Sequence, residues 1–270
     1  MCIEGLPMHQ ARDYGINHIQ ARKDHKCYGM GLGVMILDEV YPGFPGDVRN
    51  ASAFPFPVQY EIIRDVDMPK LIYAENKSAC LDSIQRAAQN LEQMGCRAIA
   101  AECGFFAYFQ REIAASVNVP VFLSSLLQVP MAQQVVGPHK VIGIMGHAES
   151  GQYTEHLLKS VGITPDSNYV ICCSRDIDGS CEEFEHLWTP GKKADPPGAD
   201  FEKTEKEFLA FAIEAYRKYP NMGAMVLECT GMQPFARALQ RKLDIPLFSW
   251  GTLLDYAYSV AVHREYYGHV

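Results

Sequence analysis

Two of the nine cysteines stand where a thiol could take part in chemistry. Cys103 closes the apolar run CRAIAAEC and Cys229 closes AMVLEC, and a helical pattern follows each of them. A helix N-terminus exposes unpaired amides, which lower the pKa of a thiol and attract a carboxylate. A thiolate on one side of a carbon atom can remove a proton, and a thiol on the other side can return one. We therefore interpret Cys103 and Cys229 as catalytic candidates, with core packing as the alternative.

The two cysteines belong to an internal repeat. The segment RAIAAECGFFAYFQREIAASVNVPVFLSSLL at 97–127 aligns without a gap with GAMVLECTGMQPFARALQRKLDIPLFSWGTL at 223–253. The offset is 126 residues throughout, as from Cys103 to Cys229. Two related units that face each other would bring equivalent strand ends to a shared cleft, which is the usual ligand position in parallel sheets. The repeat therefore places both thiols beside one cleft.

Apolar runs alternate with amphipathic ones along both halves, as in α/β proteins with parallel sheets flanked by helices. Strands are predicted at 32–37, 96–103, 119–124, 140–146, 168–174, 224–229 and 245–250, and helices near 74–94, 106–116, 151–161, 201–218 and 233–242. We predict two pseudo-symmetric α/β domains, at 29–138 and 139–250, with an N-terminal extension at 1–28. A C-terminal helix at 251–266 is expected to complete the first domain.

Composition narrows the class of ligand. A net charge of −8 without a basic cluster argues against nucleic acid, and no apolar stretch reaches the length of a membrane span. The N-terminal residues lack the apolar core of a signal peptide, and scattered cysteines suit free thiols in a cytoplasmic protein. We expect a small-molecule ligand, no nucleic acid and no membrane. The segment 176–200 is predicted to be a long loop, either a lid or a solvated insertion.

A metal site is not expected. No CxxC pair occurs, and the cluster of Cys181, Glu185 and His186 lacks a second set of ligands.

The repeated strand-end cysteine, with LECTGMQP at 227–234, resembles the cofactor-independent aspartate/glutamate racemase superfamily. This resemblance implies a racemase-like fold, an interdomain site with Cys103 and Cys229, no cofactor and a homo-oligomer. Racemases of this type usually follow the first cysteine with Asn-Thr, whereas this chain has Gly104-Phe105-Phe106. A closer resemblance is to the Alma-type dimethylsulfoniopropionate lyases. It rests on LGVMILDEVYPGFPGDVRNASAFPFPVQY at 32–60, ECGFFAYFQ at 102–110, SSLLQVP at 124–130 and LECTGMQP.

The lyase resemblance implies that proton abstraction next to a carboxylate is followed by loss of dimethyl sulfide, which leaves acrylate. One thiolate base is enough for this elimination. The carboxylate substrate carries a sulfonium cation, which prefers aromatic faces because it cannot form conventional hydrogen bonds. Candidate aromatic contacts are Tyr41, Phe105, Phe106, Tyr108 and Trp188.

The substrate carboxylate needs hydrogen-bond donors. Amides after each cysteine, beginning with Gly104, and the hydroxyls of Thr230, Ser124 and Ser125 are candidates, although one serine is equally explained as a helix cap. After the first strand, Asp38, Tyr41 and Asp47 are expected to shape the site.

The glutamates that precede the cysteines are expected on the opposite face of each strand, as supporting rather than catalytic groups. Strand alternation turns Glu102 and Glu228 away from the thiols, with Arg111 and Arg237 as candidate partners.

Two other functions stay open. One is a two-cysteine racemase or epimerase of an amino acid, and the other is a non-catalytic binding protein that kept the duplicated fold.

Overall fold

The computed structural model describes residues 21, 23, 25–188, 196–264, 266 and 268. Most of the predicted N-terminal extension and part of the predicted loop at 176–200 lie outside the described residues. Within the described part of that loop, a short helix precedes Trp188.

The strands form two four-stranded parallel sheets within the described residues. They are β1 (Leu32–Leu37), β2 (Val58–Ile63), β3 (Ala98–Ala101), β4 (Val121–Phe122), β5 (Val141–Gly146), β6 (Tyr169–Cys173), β7 (Met222–Leu227) and β8 (Leu247–Phe248). The order is β2-β1-β3-β4 in the first sheet and β6-β5-β7-β8 in the second. The identical order shows that the sequence repeat is a repeat of the whole sheet, with β1 and β5 as equivalent inner strands.

Helices connect and cover the strands, as parallel pairing requires. They are α1 (Leu81–Gln93), α2 (Gln110–Ser116), α3 (Gln128–Val136), α4 (Glu155–Ser160), α5 (Glu182–Glu185), α6 (Phe201–Lys218), α7 (Ala236–Leu243) and α8 (Trp250–Ala261). Short 3-10 turns lie at Ala51–Ala53, Lys77–Cys80, Gly104–Phe109, Ser125–Leu127, Ser150–Gln152, Ser174–Asp176 and Thr230–Phe235, and a π-helical turn lies at Pro69–Tyr73.

Most predicted elements are present, with differences. The helix predicted at 106–116 begins as a 3-10 turn, and α2 starts only at Gln110. The strand β2 was not predicted, because its partly buried sequence VQYEII lies at the sheet edge and lacks the continuous apolar run by which the other strands were identified. The C-terminal helix ends at Ala261 rather than at 266. By contrast, β1 and α6 occupy the predicted residues.

One apolar core extends through both halves of the chain. Phe105 and Leu126 from the first half share it with Ile144, Leu157 and Val226 from the second. The last helix, α8, instead joins residues of β1 and β3 in a separate cluster on the first sheet. The two sheets are therefore joined by buried apolar contacts, which fixes how their strand ends face each other. The division into domains at 138 and 250 stays a prediction.

In the part of the chain that the structure describes, no helix combines the length and the apolar character that crossing a bilayer needs.

Candidate active site

A small cavity lies where the carboxyl ends of strands from both sheets meet. Its volume is about 60 Å³. The lining residues are Leu37, Glu39, Tyr41, Met68, Ile72, Tyr73, Glu102, Cys103, Gly104, Phe105, His147, Ala148, Arg175, Trp188, Glu228, Cys229 and Thr230. Both candidate cysteines are in the lining, as the repeat predicted.

The two cysteines have matching local structure. Each has extended backbone and immediately precedes a 3-10 turn, Gly104–Phe109 after Cys103 and Thr230–Phe235 after Cys229. In both copies the cysteine carbonyl accepts a hydrogen bond from the amide three residues later, at 3.1 Å. The turn also directs backbone amides toward the sulfur: that of Phe105 at Cys103, and those of Gly231 and Met232 at Cys229.

These amides do not produce the lowered thiol pKa that the sequence suggested. Burial raises the pKa of both thiols well above the ordinary value, and the charge of Glu228 adds to the increase. The amides lower the pKa by a smaller amount, because desolvation of a thiolate in a closed cavity is the larger effect. A thiolate therefore needs a further source of positive potential, such as a bound substrate.

Glu102 is held in an ion pair with Arg49. The guanidinium donates from Nε to Oε2 at 2.8 Å and from one terminal nitrogen to Oε1 at 2.5 Å. The amide of Leu37 also donates to Oε1. Arg49 further donates to the carbonyls of Leu37 and Glu39, so the pair fixes the loop that follows β1.

Glu228 occupies the equivalent position but has different partners. Its side chain is 2% exposed, and Oε2 accepts a hydrogen bond from the Tyr153 hydroxyl at 2.8 Å. The carboxyl group lies against Gly104, where a Cβ atom would collide with Oε1. Burial raises the pKa of Glu228 to about 7, and the hydrogen bond from Tyr153 opposes this only in part.

The predicted placement of the two glutamates needs correction. Both line the same cavity as the thiols, because β3 ends at Ala101 and β7 at Leu227, so strand alternation no longer applies to the next residue. The predicted arginine partners are also wrong. Arg111 donates to the carbonyl of Lys159 at 2.8 Å, and Arg237 is absent from the ion pairs of both glutamates.

One wall of the cavity is aromatic. The rings of Tyr41 and Trp188 lie 4.4 Å apart, and the guanidinium of Arg49 lies 4.2 Å from the centre of the Tyr41 ring. The Tyr41 hydroxyl is 3.3 Å from Glu102 Oε2 and 3.4 Å from Asp47 Oδ1. Burial raises the pKa of Asp47 to about 7. Tyr41 thus lines the cavity as predicted, whereas Asp47 contacts the hydroxyl of Tyr41 and is not part of the lining.

Arg175 and His147 add polar groups to the cavity lining. Arg175 donates from Nε to a carboxylate oxygen of Glu185 at 2.9 Å, and His147 Nε2 lies 2.7 Å from the same carboxylate. Arg175 also donates to the hydroxyl of Tyr73. Burial lowers the pKa of His147. These residues supply polar groups at the cavity that sequence reasoning missed.

Four predicted substrate contacts lie outside the cavity lining, namely Asp38, Tyr108, Ser124 and Ser125. Asp38 is exposed, and its neighbour Glu39 lines the cavity instead. The Tyr108 ring packs against His156 at a centroid distance of 4.2 Å.

The two serines are structural. Ser124 is buried and caps the turn that follows it, accepting a hydrogen bond from the amide of Leu126. Ser125 is also buried and donates to the carbonyl of Leu227 at 2.8 Å, which joins the first half to the end of β7. The N-cap alternative was therefore correct for Ser124. Of the aromatic candidates, Phe106 is fully buried in the core, whereas Phe105 lines the cavity.

The partners of the two cavity glutamates lacked a sequence signal. Arg49 is 53 residues from Glu102, and Tyr153 is 75 residues from Glu228. The motif PGDVR at 45–49 marked the loop after β1 as distinctive, but it did not predict that Arg49 pairs with Glu102. Among the described residues, no group of His, Cys, Asp and Glu is arranged to hold a metal ion.

Sequence comparison finds curated relatives that are dimethylsulfoniopropionate lyases. One from Durusdinium sp. clade D is 26% identical over 230 residues, which cover 84% of this chain and 73% of that protein. Dimethylsulfoniopropionate lyase 7 of Emiliania huxleyi is 26% identical over 229 residues, 82% of this chain and 64% of that protein. More than a third of the second relative thus lies outside the match. No protein-family model matches the chain.

Solved structures with the same fold are racemases and a decarboxylase. Allantoin racemase from Klebsiella pneumoniae has a TM-score of 0.56 at 14% identity, covering 86% of this chain and 88% of that one. Unliganded arylmalonate decarboxylase has a TM-score of 0.54 at 14% identity, covering 87% and 94%. Glutamate racemase from Francisella tularensis, in complex with D-glutamate, has a TM-score of 0.50 at 15% identity, covering 86% and 79%. These likenesses confirm the two-domain α/β fold.

Proposed function

We propose that this chain, which has the fold of the aspartate/glutamate racemase superfamily and resembles dimethylsulfoniopropionate lyases in sequence, is a carbon–sulfur lyase. Its reaction is the cleavage of dimethylsulfoniopropionate to dimethyl sulfide and acrylate, with Cys103 or Cys229 as the base and no cofactor. The observation that carries the proposal is the meeting of both thiols, from equivalent strand ends, at one small cavity. The curated relatives at 26% identity support the choice of substrate.

The reaction is an elimination. A thiolate takes the proton from the carbon next to the substrate carboxylate. The electron pair of that C–H bond forms the carbon–carbon double bond as the C–S bond breaks, and sulfur leaves with its bonding pair as neutral dimethyl sulfide. Because the pKa of the resulting thiol is raised in the empty cavity, the thiol passes its proton to water and becomes a thiolate again only when the next substrate brings its cation. Thr230 lies in the lining and supplies a hydroxyl for the negative charge that develops on the substrate carboxylate.

The test is dimethyl sulfide release from dimethylsulfoniopropionate by the purified protein. We expect Cys103→Ala and Cys229→Ala to lose activity by roughly 10²–10⁴-fold where the thiol is the base. The larger loss is expected at Cys229, because two backbone amides can stabilise its thiolate. Cys172→Ala is the matched control, since Cys172 is also half-buried near a strand end but lies outside the cavity lining. No gas from the unmodified protein contradicts the lyase, and full activity in both variants contradicts the thiol base.

A racemase or epimerase of an amino acid is the second candidate. It is favoured by the presence of both thiols in one cavity, since racemisation needs a base and an acid on opposite sides of the carbon. Incubation in heavy water distinguishes the two. Solvent deuterium at the alpha position of an amino acid, with loss of optical rotation, would establish a racemase. No exchange and no turnover with carboxylate substrates would instead favour a binding protein.

We also propose a homo-oligomer, on the basis of the family resemblance. Helix α8 exposes Tyr256 and Val260, which are apolar side chains of the kind that interfaces cover. Sedimentation equilibrium tests this, and a monomer at all concentrations would contradict it.

A further inference from the structure

Glu228 is a buried carboxyl group that borders the cavity without a cation. Its hydrogen bond comes from the neutral hydroxyl of Tyr153, and no Lys, Arg or His among the described residues forms an ion pair with it. A carboxylate that loses its hydration without a compensating charge is costly. The raised pKa of Glu228 has the same cause. The free protein therefore leaves a place for positive charge next to this group.

Glu102, the residue equivalent to Glu228 in the repeat, is a buried carboxylate that the protein neutralises with a side chain of its own. Glu102 receives the guanidinium of Arg49 and the amide of Leu37. The two positions have the same register in the repeat and line the same cavity, so the difference between them lies in their partners. Only the first carboxylate is compensated within the described part of the protein.

The surroundings of Glu228 suit a cation that has no hydrogen-bond donors. Gly104 leaves the space that Oε1 occupies, and a side chain there would displace the carboxylate. Phe105 lines the cavity at the next position, and its ring lies 5.0 Å from that of Tyr153. Aromatic faces attract onium groups, and a carboxylate attracts them without needing a donor.

We infer that Glu228 is the counter-ion for an onium group on the substrate, and that it selects an onium carboxylate over a carboxylate of the same shape that carries no cation. This inference rests on the proposed function, which supplies a substrate with a sulfonium group. In that substrate the sulfur is attached to the carbon next to the one that loses its proton. A carboxylate that adjoins both thiols is therefore suitably placed to meet the cation while a thiol meets the proton.

Pairing of Glu228 with an onium group would also favour ionisation of the thiol to a thiolate. The charge of Glu228 is the strongest electrostatic contribution that raises the pKa of Cys103 and of Cys229, and it acts on Cys173 and Tyr153 as well. A bound onium group offsets that charge. The substrate thus promotes ionisation of the thiol that removes its proton, whereas a carboxylate without the cation leaves the thiols protonated.

The test measures binding rather than turnover. The probes are beta-alanine betaine, which carries a trimethylammonium group, and its carbon isostere, in which a tert-butyl group replaces that cation. Titration calorimetry with the unmodified protein is expected to show at least tenfold tighter binding of the betaine. Glu228→Gln keeps the shape of the side chain and removes its charge, so the preference should fall to about threefold or less. Glu155→Gln, an exposed acid that pairs with Lys159 outside the cavity lining, should keep the full preference.

Two results would overturn the inference. One is equal or weaker binding of the betaine by the unmodified protein, which decides the matter even where the Gln variant fails to fold. The other is an undiminished preference in folded Glu228→Gln, as expected where Glu228 acts instead as a neutral hydrogen-bond donor to the substrate carboxylate. Dimethyl sulfide release is scored separately. A protein that prefers the betaine but releases no gas loses the lyase proposal alone, and a protein that releases gas without the preference loses the role of Glu228 alone.

Discussion

Glu102 and Glu228 show that identical residues at equivalent positions of a repeat can have different electrostatic roles. Their backbone amides bond in the same way, to the carbonyl of Met35 in β1 and of Met145 in β5. Their side chains differ because an arginine from a distant loop reaches only Glu102, and a tyrosine hydroxyl reaches Glu228. Sequence spacing predicted that the two positions are equivalent. The partners lie outside the aligned repeat segments, so spacing could not predict them.

The first residue-scale prediction concerns the Arg49–Glu102 pair. Arg49→Met leaves Glu102, which is 2% exposed, as an uncompensated buried charge, and such a change costs roughly 3–5 kcal/mol in the free energy of unfolding. Adding Glu102→Gln should recover much of this loss. Urea denaturation measures both variants. The control is Lys70→Met, which breaks an exposed pair with Asp67 and should cost about 1 kcal/mol or less. Equal losses in the free energy of unfolding for Arg49→Met and Lys70→Met would contradict the role of Arg49 in neutralising a buried carboxylate.

The second residue-scale prediction is a pH dependence of stability. Burial raises the pKa of Glu228 from 4.5, and that of Asp47 from 3.8, to about 7 in the folded protein. A raised carboxyl pKa means that the folded state holds the proton more tightly than the unfolded state. The stability that these groups contribute is therefore present below their ordinary pKa values and is lost as the pH rises through about 7.

Glu228→Gln isolates one of these groups, because a comparison of the variant with the unmodified protein cancels the other titrations. We expect the Tm difference in favour of Gln to be larger at about pH 8 than at about pH 5. Calorimetry of the two proteins without ligand measures it. A difference that stays constant across this range would show that Glu228 has no raised pKa.

At the scale of elements, the strand end and the 3-10 turn that follows it form the unit that presents each thiol. The sequence predicted the strands, because apolar runs such as VMIL and MVL are bounded by turn residues. It did not predict the 3-10 geometry, and it assigned Tyr108 to the cavity because aromatic residues cluster around the Cys103 motif. In a helix that began at 106, Tyr108 would lie in the first turn, whereas here it packs with Phe109 and His156.

The element-scale prediction tests the close packing of the first turn against Glu228. The Cβ atom of Gly104→Ala would overlap the carboxyl group and the Cγ atom of Glu228, so one of the two must move. We expect a cost of roughly 1–3 kcal/mol in the free energy of unfolding. Gly151→Ala is the control, because a Cβ atom there meets no atom within 4 Å.

A second substitution separates the collision from a general backbone effect. Glu228→Asp shortens the side chain and should restore part of the stability lost in Gly104→Ala. Denaturation of the double variant measures this. Additive losses would mean that the glycine is needed for another reason.

At the scale of the whole molecule, the sequence predicted more of the fold than of the site. The repeat and the alternation of elements were enough for two equivalent parallel sheets and for the position of both thiols. The contents of the cavity depend on how loops from different parts of the chain meet. Glu39 rather than Asp38 faces the cavity. The other missed residues, His147 and Arg175, lie in the loops that follow β5 and β6. Local patterns carry no information about such long-range contacts.

The last prediction is that the two halves unfold together. Leu157 of α4 is fully buried in the core that both halves share, and Trp250 of α8 donates to the carbonyl of Glu228 at 2.7 Å. Ser125 adds a bond to the carbonyl of Leu227. Separating the halves would expose the shared core and leave these buried groups unpaired, which favours one cooperative transition.

Leu157→Ala tests this coupling, since it should cost roughly 2–5 kcal/mol and leave a cavity in the shared core. Although Leu157 belongs to the second half, hydrogen exchange should accelerate by a similar factor for the slowest amides of β1 and β5. Val135→Ala is the control, because this side chain is 66% exposed. It should change neither the free energy of unfolding nor the exchange rates of these amides. Acceleration confined to β5 would mean that the second half opens alone. Because each half supplies one thiol, cooperative unfolding would keep the two thiols in a single cavity for as long as the protein is folded.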